Sequence, residues 1–500
     1  MKIIFLFIIT FAGLTFPQGI SKENLIKHIF TLGSDEFEGR GTGQWGGEKA
    51  AKYLAEEFRQ LNIIPAGDDS SYFQNIRLHG GKPLNGSELI FYSGEEKREF
   101  NLWEDYLLYF SGEQTFIPAR LDFVFAGYGI IAPEYDYNDY QTINAEGKIV
   151  VFLDGEPLSD DELYFDGERP TVHSYPDAKQ RIALSRGARG SILIPDLKDG
   201  FYSGWEKLKN EFSFEDITLA YSVTNSLALL FNPANAEILF NASGYSLNDI
   251  YDMHSKGNLK SFEMNCGLSF KGEFKERDFI SSNIIGMVEG INPELKDEYI
   301  IISAHYDHLG IGIPVEGDSI YNGVFDNAAG VSVLLEIARL FSENENKPER
   351  SIIFILTTAE EKGLLGSVFY TDNPVVPLYK TVANINMDGI ALYDNFKSII
   401  GVGSEYSTLD NFLLEAADFN EVSVTSIPSE FRGYDAFLRS DQVAFANAGI
   451  PTILIIDAPD YVNISREEGL KKFMHYSENI YHTPFDDLNQ YMNFDAAVQH

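Results

Sequence analysis

The chain has 500 residues, of which 44% are hydrophobic and 14% aromatic, and its formal net charge at pH 7 is -37. A chain of this length is too long for one small hydrophobic core, and its composition supplies enough apolar side chains for two or three packed domains. The strong negative charge argues against nucleic acid and anionic membrane surfaces as partners. Because Cys266 is the only cysteine, an intrachain disulfide and a cysteine-based zinc site are both excluded.

The N-terminal segment has the pattern of a secretory signal. Lys2 precedes an apolar run at residues 3–11, which is too short to remain as a bilayer anchor. Cleavage is expected between residues 12 and 20. The sequence therefore predicts a secreted or periplasmic protein with no membrane anchor after signal cleavage.

Two helices and a glycine-rich loop follow this segment. Helical patterns cover residues 21–28 and 45–61, and the second has one apolar stripe. The loop at residues 34–43 has glycines at spacings that suggest phosphate binding. However, no strand precedes it and no Lys-Ser or Lys-Thr pair follows, so a P-loop is rejected.

A β-rich unit is predicted next. Short strand patterns alternate with turns over residues 77–120, and clearer strands follow at 121–130, 147–153 and 190–194, with one helix at 177–186. This part of the chain contains isolated histidines but no cluster of metal-ligand side chains. These histidines, His79, His173 and His254, are therefore expected to be ordinary surface or loop residues.

The second half of the chain has the alternation of a parallel sheet. Apolar strand patterns at residues 299–304, 351–357, 381–386 and 451–456 alternate with helical patterns at 331–341, 363–370 and 410–417. This order predicts an α/β fold with a mixed, mostly parallel central sheet flanked by helices. In such sheets, sites lie at the carboxyl edge of the strands.

Side chains with metal-ligand chemistry follow these strands. The candidate ligands are His305, Asp326, Glu361, Asp388 and His482. Zinc takes nitrogen and oxygen donors, and two zinc ions about 3.5–4 Å apart can share one carboxylate and one water. Other loop residues remain possible ligands, namely His308, Glu316, Asp318 and Asp487.

Two further residues have candidate catalytic roles. Glu360 is adjacent to the ligand Glu361 and points in another direction, so it can act as a general base on the shared water. Strand alternation puts Asp307 on the same side as His305. Its carboxylate can then accept the second ring N–H of that histidine and select the tautomer.

The motifs at residues 304–308, 326–330, 359–367, 386–389 and 481–486 together resemble, in order, the secreted two-zinc aminopeptidases of metallopeptidase family 28. The strands at 124–130 and 147–151, with the run around Ile192, resemble a protease-associated (PA) domain. The resemblance implies a zinc-exopeptidase, phosphorylase/hydrolase-like fold with an inserted β-rich PA domain. The implied division is a signal peptide at 1–19, the N-terminal part of the catalytic domain at 20–115, the PA domain at 116–275, and the remaining catalytic domain at 276–500.

The resemblance also implies individual functions. Asp326 would bridge both ions, His305 and Asp388 would complete one, and Glu361 and His482 the other, with Glu360 as base. The bond between residues 326 and 327 is often a cis peptide in this family. Two Zn²⁺ per chain are implied, and Co²⁺ or Mn²⁺ would suit the same donors.

The substrate contacts follow the family less closely. Residues 440–442 are Ser-Asp-Gln where the family often has Ser-Asp-His. Just before them, Arg432 and Tyr434 are candidates for lining the substrate site, and Tyr434 for holding the oxyanion.

Several functions are compatible with this sequence. The favoured one is removal of N-terminal residues from peptide substrates by a zinc-dependent aminopeptidase. A carboxypeptidase or dipeptidase would need cationic groups for a terminal carboxylate, and Arg432 and Arg439 are the candidates. A one-zinc glutaminyl cyclase and a non-catalytic binding or receptor-like protein are further alternatives, but the complete ligand set argues against both.

Overall fold

The structure is a computed structural model that describes residues 19–108, 115–159, 161, 163–167, 171–197, 204–222, 226–390, 392–428, 431 and 437–500. The predicted signal segment, apart from Gly19, lies outside these residues. Within the described ranges, no helix combines the length and hydropathy needed to span a bilayer.

The α-helices are α1 Lys22–Leu32, α2 Trp45–Gln60, α3 Pro176–Ser185, α4 Trp205–Phe212, α5 Glu237–Asn241, α6 Leu247–Ser255, α7 Ala329–Glu343, α8 Leu365–Asp372, α9 Leu409–Phe419, α10 Gln442–Asn447, α11 Arg466–His475 and α12 Phe494–Gln499. The predicted helices at 45–61 and 331–341 are thus present as α2 and α7. Each buries its apolar stripe, which includes Leu54 and Phe58 in α2 and Leu334 in α7.

The strands are β1 Ile64–Pro65, β2 Phe73–Pro83, β3 Glu88–Ser93, β4 Glu96–Phe100, β5 Tyr106–Leu108, β6 Phe116–Phe125, β7 Ile131–Ala132, β8 Tyr137–Asn138, β9 Ile149–Leu153, β10 Gly190–Ile194, β11 Asp216–Leu219, β12 Leu227–Phe231, β13 Phe262–Lys271, β14 Phe274–Val288, β15 Tyr299–His305, β16 Gly310–Val315, β17 Asp318–Tyr321, β18 Ser351–Thr357, β19 Thr381–Asn386, β20 Ser398–Val402, β21 Ser423–Val424 and β22 Thr452–Asp457. Most of them belong to two large sheets.

The first sheet has the order β11-β2-β14-β18-β15-β19-β22-β20-β21, and β1 pairs with β14. Its centre, from β18 through β15 and β19 to β22, is parallel. The flanking strands pair mainly antiparallel. Every residue of β18 is buried, as expected for a strand covered on both faces. The predicted mixed α/β class is confirmed, with its parallel character concentrated in the middle of the sheet.

The second sheet has the order β4-β3-β13-β6-β9-β10-β12-β5. Apolar residues of α5 and α6 pack on one side of it, and those of α3 and α4 pack on the other. We call this sheet with these four helices the inserted unit. Strands β3, β4 and β5, which the prediction assigned to the N-terminal part of the catalytic domain, belong to this sheet.

One segment leaves the inserted unit and returns to it. Strand β11, between β10 and β12 in sequence, pairs antiparallel with β2 at the edge of the first sheet. The sequence did not reveal this excursion, because a four-residue strand has no distinctive periodicity. It brings α4 and β11 next to the carboxyl edge where the candidate ligands lie.

Candidate metal centre

The candidate ligands come together because neighbouring parallel strands end at the same edge. His305 is the last residue of β15 and lies opposite Thr357, the last residue of β18. Asp388 follows the end of β19, which pairs with β15 on its other side. Asp326 precedes α7, and His482 lies in the loop after α11. Residues that are far apart in sequence thus share one cluster.

Asp326 lies between the two histidines. Its Oδ1 is 3.3 Å from Nε2 of His305, and its Oδ2 is 3.5 Å from Nε2 of His482. The Nε2 atom of His305 is also 3.2 Å from Oδ1 of Asp388. On the other side, Nε2 of His482 is 3.1 Å from Oε2 of Glu361. The Nε2 atom of each histidine therefore faces Asp326 and one further carboxylate.

The donor set fits a divalent metal. Donor atoms of His305, Glu360 and Asp388 lie within 4.8 Å of one another, as do those of His305, Asp326 and Glu361. The buried Nε2 of His482 has no hydrogen-bond partner among the described residues, although carboxylate oxygens surround it. A buried polar atom without a partner is costly. Imidazole and carboxylate are the donors that zinc, cobalt and manganese accept.

Asp307 is buried beneath the cluster but uses different atoms from those predicted. Its carbonyl oxygen, not its carboxylate, lies 3.1 Å from Nδ1 of His305. The carboxylate instead accepts hydrogen bonds from the hydroxyl of Thr42 at 2.8 Å and from the backbone N–H of Glu360 at 3.1 Å. The prediction of a carboxylate–histidine contact is corrected, because β15 ends at His305 and strand alternation no longer applies beyond it.

The adjacent carboxyls of Glu360 and Glu361 are in electrostatically different environments. Burial raises the pKa of Glu360 well above its usual range, and the negative charges of Glu361 and Asp388 raise it further. Burial also acts to raise the pKa of Glu361, but His482 and His308 outweigh it and lower that pKa. The two neighbouring carboxyl groups thus differ in which charges surround them, with His482 and His308 acting on Glu361.

His308 is a member of the cluster that the sequence ranked below the others. It is fully buried, and its Nδ1 lies 2.5 Å from Oε1 of Glu361. Because it lies past the end of β15, no periodicity in the sequence predicted its direction. Glu316 and Asp318 are exposed on the β16–β17 hairpin, and Asp487 accepts hydrogen bonds from Asn489.

The loop that presents Asp326 is held by Asp486. Its two carboxylate oxygens accept from the backbone N–H groups of Phe325 and Asp326, each at 3.0 Å. The peptide bond between Asp326 and Asn327 is cis. The motif at 481–486 contained Asp486, but only the contacts reveal its function.

Arg40 is buried next to the chain segments that carry the cluster, and the sequence did not single it out. Its fully buried guanidinium donates to the carbonyl oxygens of four residues at 2.6–2.8 Å, namely Leu32, Tyr306, Asn322 and Gly323. Burial lowers its pKa to about 10, and nearby carboxylates, Asp326 first among them, oppose that effect. Arg40 thus ties the N-terminal segment to the strand and loop that carry His305 and Asp326.

We expect Arg40→Met to lower the free energy of unfolding by at least about 3 kcal/mol, since several buried carbonyl oxygens lose their donor. Arg40→Lys should be intermediate, because an ammonium has only three N–H donors. Arg59→Met is the matched control, because Arg59 is an exposed arginine of α2 whose guanidinium pairs with Glu56 on the same helix. Denaturant unfolding measures all three; equal stability of Arg40→Met and Arg59→Met would contradict this function.

A pocket of about 130 Å³ opens beside the cluster. Its polar wall includes His305, Asp326, Glu360 and Asp388. Its apolar wall is formed by Phe325, Ile390, Tyr393, Leu454, Ile456, Phe473, Tyr476 and Tyr481, and Arg439 also lines it. The predicted substrate residues Arg432 and Tyr434 lie outside the described residues.

Clustered metal donors at the carboxyl edge of a mixed α/β sheet define a metal-dependent class of protein. Residues 283–499 match the sequence profile of peptidase family M28. An aminopeptidase from Aneurinibacillus sp. strain AM-1 has the same fold, with a TM-score of 0.55 and 19% identity over 96% of this chain and 91% of that chain.

Curated relatives match over shorter stretches. The mouse protein "Aminopeptidase NAALADL1" is 37% identical over 121 residues, which are 23% of this chain and 14% of that protein. The "Vacuolar membrane protease" of Kluyveromyces lactis is 36% identical over 109 residues, 22% of this chain and 10% of that protein. The chain therefore spans only a small part of these relatives.

The predicted secreted or periplasmic location is corrected by these comparisons. The fungal relatives from Kluyveromyces lactis, Lodderomyces elongisporus and Saccharomyces cerevisiae are named as vacuolar membrane proteases. The prediction was based on residues 1–20, of which only the last two are described. The short apolar run alone was too weak a signal for a location.

Proposed function

We propose that the chain is a two-zinc aminopeptidase that hydrolyses N-terminal residues from peptides. The observation that carries this proposal is the position of Asp326, with one carboxylate oxygen facing each of two histidines. A carboxylate that faces two nitrogen donors, one with each oxygen, could bind one ion with each oxygen and so serve a pair of ions. The match of residues 283–499 to the profile of peptidase family M28 supports a peptide substrate.

The remaining donors divide between the two ions. His305 and Asp388 would complete one, and His482 and Glu361 the other, because these pairs lie on opposite sides of Asp326. His308 stabilises the orientation of Glu361 through its contact with Oε1. When bound, the zinc ions would polarise the scissile carbonyl and lower the pKa of a water molecule.

Glu360 is proposed as the proton carrier of the reaction. Its carboxyl group lies beside His305 and Asp388, on the same wall of the pocket. In its ionised form it accepts a proton from the attacking water, and it then donates that proton to the nitrogen of the leaving amine. The backbone N–H of Glu360 donates to the carboxylate of Asp307, and this hydrogen bond fixes the start of the helical turn that carries Glu360 and Glu361.

The pocket supports a substrate whose N-terminal side chain is apolar. Aromatic and aliphatic side chains form much of the pocket lining. A leucine or phenylalanine side chain would bury apolar area against them, and glycine has no side chain to do so. Leucine and phenylalanine at the N-terminus should therefore be preferred over glycine.

We expect purified protein to hydrolyse leucyl and phenylalanyl reporter amides at least about 10-fold faster, in kcat/KM, than glycyl amides. A chelator should abolish turnover, and added zinc should restore it. The same amides with an acetylated N-terminus are the control for endopeptidase activity. Turnover that survives complete metal removal, verified by elemental analysis, would contradict the proposal.

Arg439 favours a second candidate, a dipeptidase or carboxypeptidase. Its side chain lines the pocket together with the metal cluster, and a guanidinium is suited to a terminal carboxylate. This enzyme would cleave dipeptides with a free C-terminus and ignore aminoacyl amides. The reporter panel, extended with dipeptides and their C-terminal amides, therefore separates the two functions.

We also propose that the inserted unit is a PA domain, with its first strand at β3 rather than at residue 116. This proposal is supported by the eight-stranded sheet, whose strands lie between β2 and β14 of the first sheet in the sequence. In this position it would help to cover the substrate site.

A further inference from the structure

Helix α4 links the inserted unit to the metal cluster. Its Leu208 is buried in the core of the inserted unit, and Trp205 and Phe212 pack against the same core. These residues follow an i, i+3, i+7 spacing, so they share one helix face. The indole N–H of Trp205 donates to the carbonyl oxygen of Trp103 at 2.7 Å. By its apolar face, α4 is therefore part of the inserted unit.

The chain after α4 is fixed to the first sheet. Arg277 of β14 forms a two-pronged ion pair with Glu215, with distances of 2.7 and 2.5 Å. Phe214 packs edge-on against Tyr321, with ring centroids 5.0 Å apart. Strand β11 then pairs with β2. Helix α4 is thus packed on the inserted unit, and the segment that follows it is held at the first sheet.

Glu211, in the last turn of α4, contacts the candidate ligand His482. Its Oε1 is 3.1 Å from Nδ1 of the histidine. The other ring nitrogen, Nε2, faces Asp326 and Glu361. A carboxylate acceptor at Nδ1 keeps the proton on that nitrogen and leaves the lone pair of Nε2 directed at the cluster.

The two candidate histidine ligands are therefore oriented in different ways. Nδ1 of His305 faces the carbonyl oxygen of Asp307, two residues further along the same chain segment. Nδ1 of His482 faces a side chain that is 271 residues away in sequence. The first contact is local to the end of β15 in the first sheet, whereas the second joins α4 of the inserted unit to the loop after α11.

We propose that Glu211 is a positioning residue for His482, so that the inserted unit contributes directly to metal retention at the cluster. This inference rests on the proposed metal site and adds a dependence of that site on the inserted unit. Removing an acceptor behind a metal-bound histidine typically weakens metal binding by about 10- to 100-fold.

The test compares zinc binding by full-length variants in competition with a chromogenic chelator. Glu211→Ala should weaken one zinc site about 10- to 100-fold and leave the other unchanged. Glu211→Gln should lie between this variant and the wild type, because its amide oxygen still accepts from Nδ1 but carries no charge. Glu206→Ala is the matched control, since Glu206 lies in the first turn of α4 with its side chain 85% exposed and pairs with Lys209. It should bind zinc as the wild type does.

Two further measurements make the outcome decisive. Melting temperatures in excess chelator report the metal-free fold. A merely structural contact would lower that temperature without changing zinc affinity, and this result would overturn the inference. If Glu211→Ala does not fold, the zinc affinity of Glu211→Gln decides, and a wild-type value there would also overturn it.

His482→Ala separates this inference from the proposed function. If His482→Ala loses one zinc and Glu211→Ala binds zinc as tightly as the wild type, the inference fails and the metal site stands. If His482→Ala also binds as the wild type, the proposed site itself fails, and the inference fails with it.

Discussion

Replacing Glu360 with glutamine is expected to lower kcat by about 10²- to 10⁴-fold while the metal content stays unchanged. The proposed ligands are His305, Asp326, Glu361, Asp388 and His482, so the substitution removes a proton acceptor and no proposed ligand. Glutamine has the same shape and cannot take up the proton of the attacking water. KM should change little, because the proposed function of Glu360 is proton transfer with the water and the leaving amine rather than substrate binding.

The measurement is steady-state hydrolysis of a leucyl amide together with elemental analysis of the same preparation. Glu316→Gln is the matched control, because Glu316 is an exposed glutamate on the β16–β17 hairpin. It should keep wild-type kcat. Donor atoms of Glu360 also lie near those of His305 and Asp388. Loss of one metal in Glu360→Gln would therefore identify Glu360 as a ligand and end its assignment as the base.

Asp326→Ala is expected to lose both activity and bound zinc. Asp326 is the residue that faces both histidines, so its removal takes one donor from each ion. A ligand that binds only the folded protein stabilises it by RT ln(1 + [L]/Kd), or about 2.7 kcal/mol at 100 times Kd. This metal-dependent stabilisation should disappear in the variant.

The melting temperature of each protein with zinc and with chelator measures this difference. The wild type should lose stability when chelator is added, whereas Asp326→Ala should respond little. Asp318→Asn is the control, since Asp318 is an exposed carboxylate on the neighbouring hairpin, outside the cluster. A zinc content equal to that of the wild type in Asp326→Ala would contradict a shared ligand.

The local sequence predicted much of the first sheet. Runs such as the isoleucine-rich β15 and β18 are too apolar for a surface position, and each is followed by metal-ligand side chains. Because parallel strands end at a common edge, the strand pattern alone places His305, Glu361 and Asp388 together. The function of Arg432 and Tyr434 stays a prediction, since neither is among the described residues.

The sequence determined the order of the strands along the chain, the α/β class and the side chains available for a metal. Only the tertiary structure decided that β3–β5 join the inserted unit, that His308 and Arg40 support the cluster, and that Asp307 meets His305 through its carbonyl oxygen. It alone brought Glu211 to His482 across 271 positions. The physical reason is that periodicity reports how one segment buries its own face. Contacts between distant segments depend on how whole units pack, and no local pattern in the chain encodes that packing.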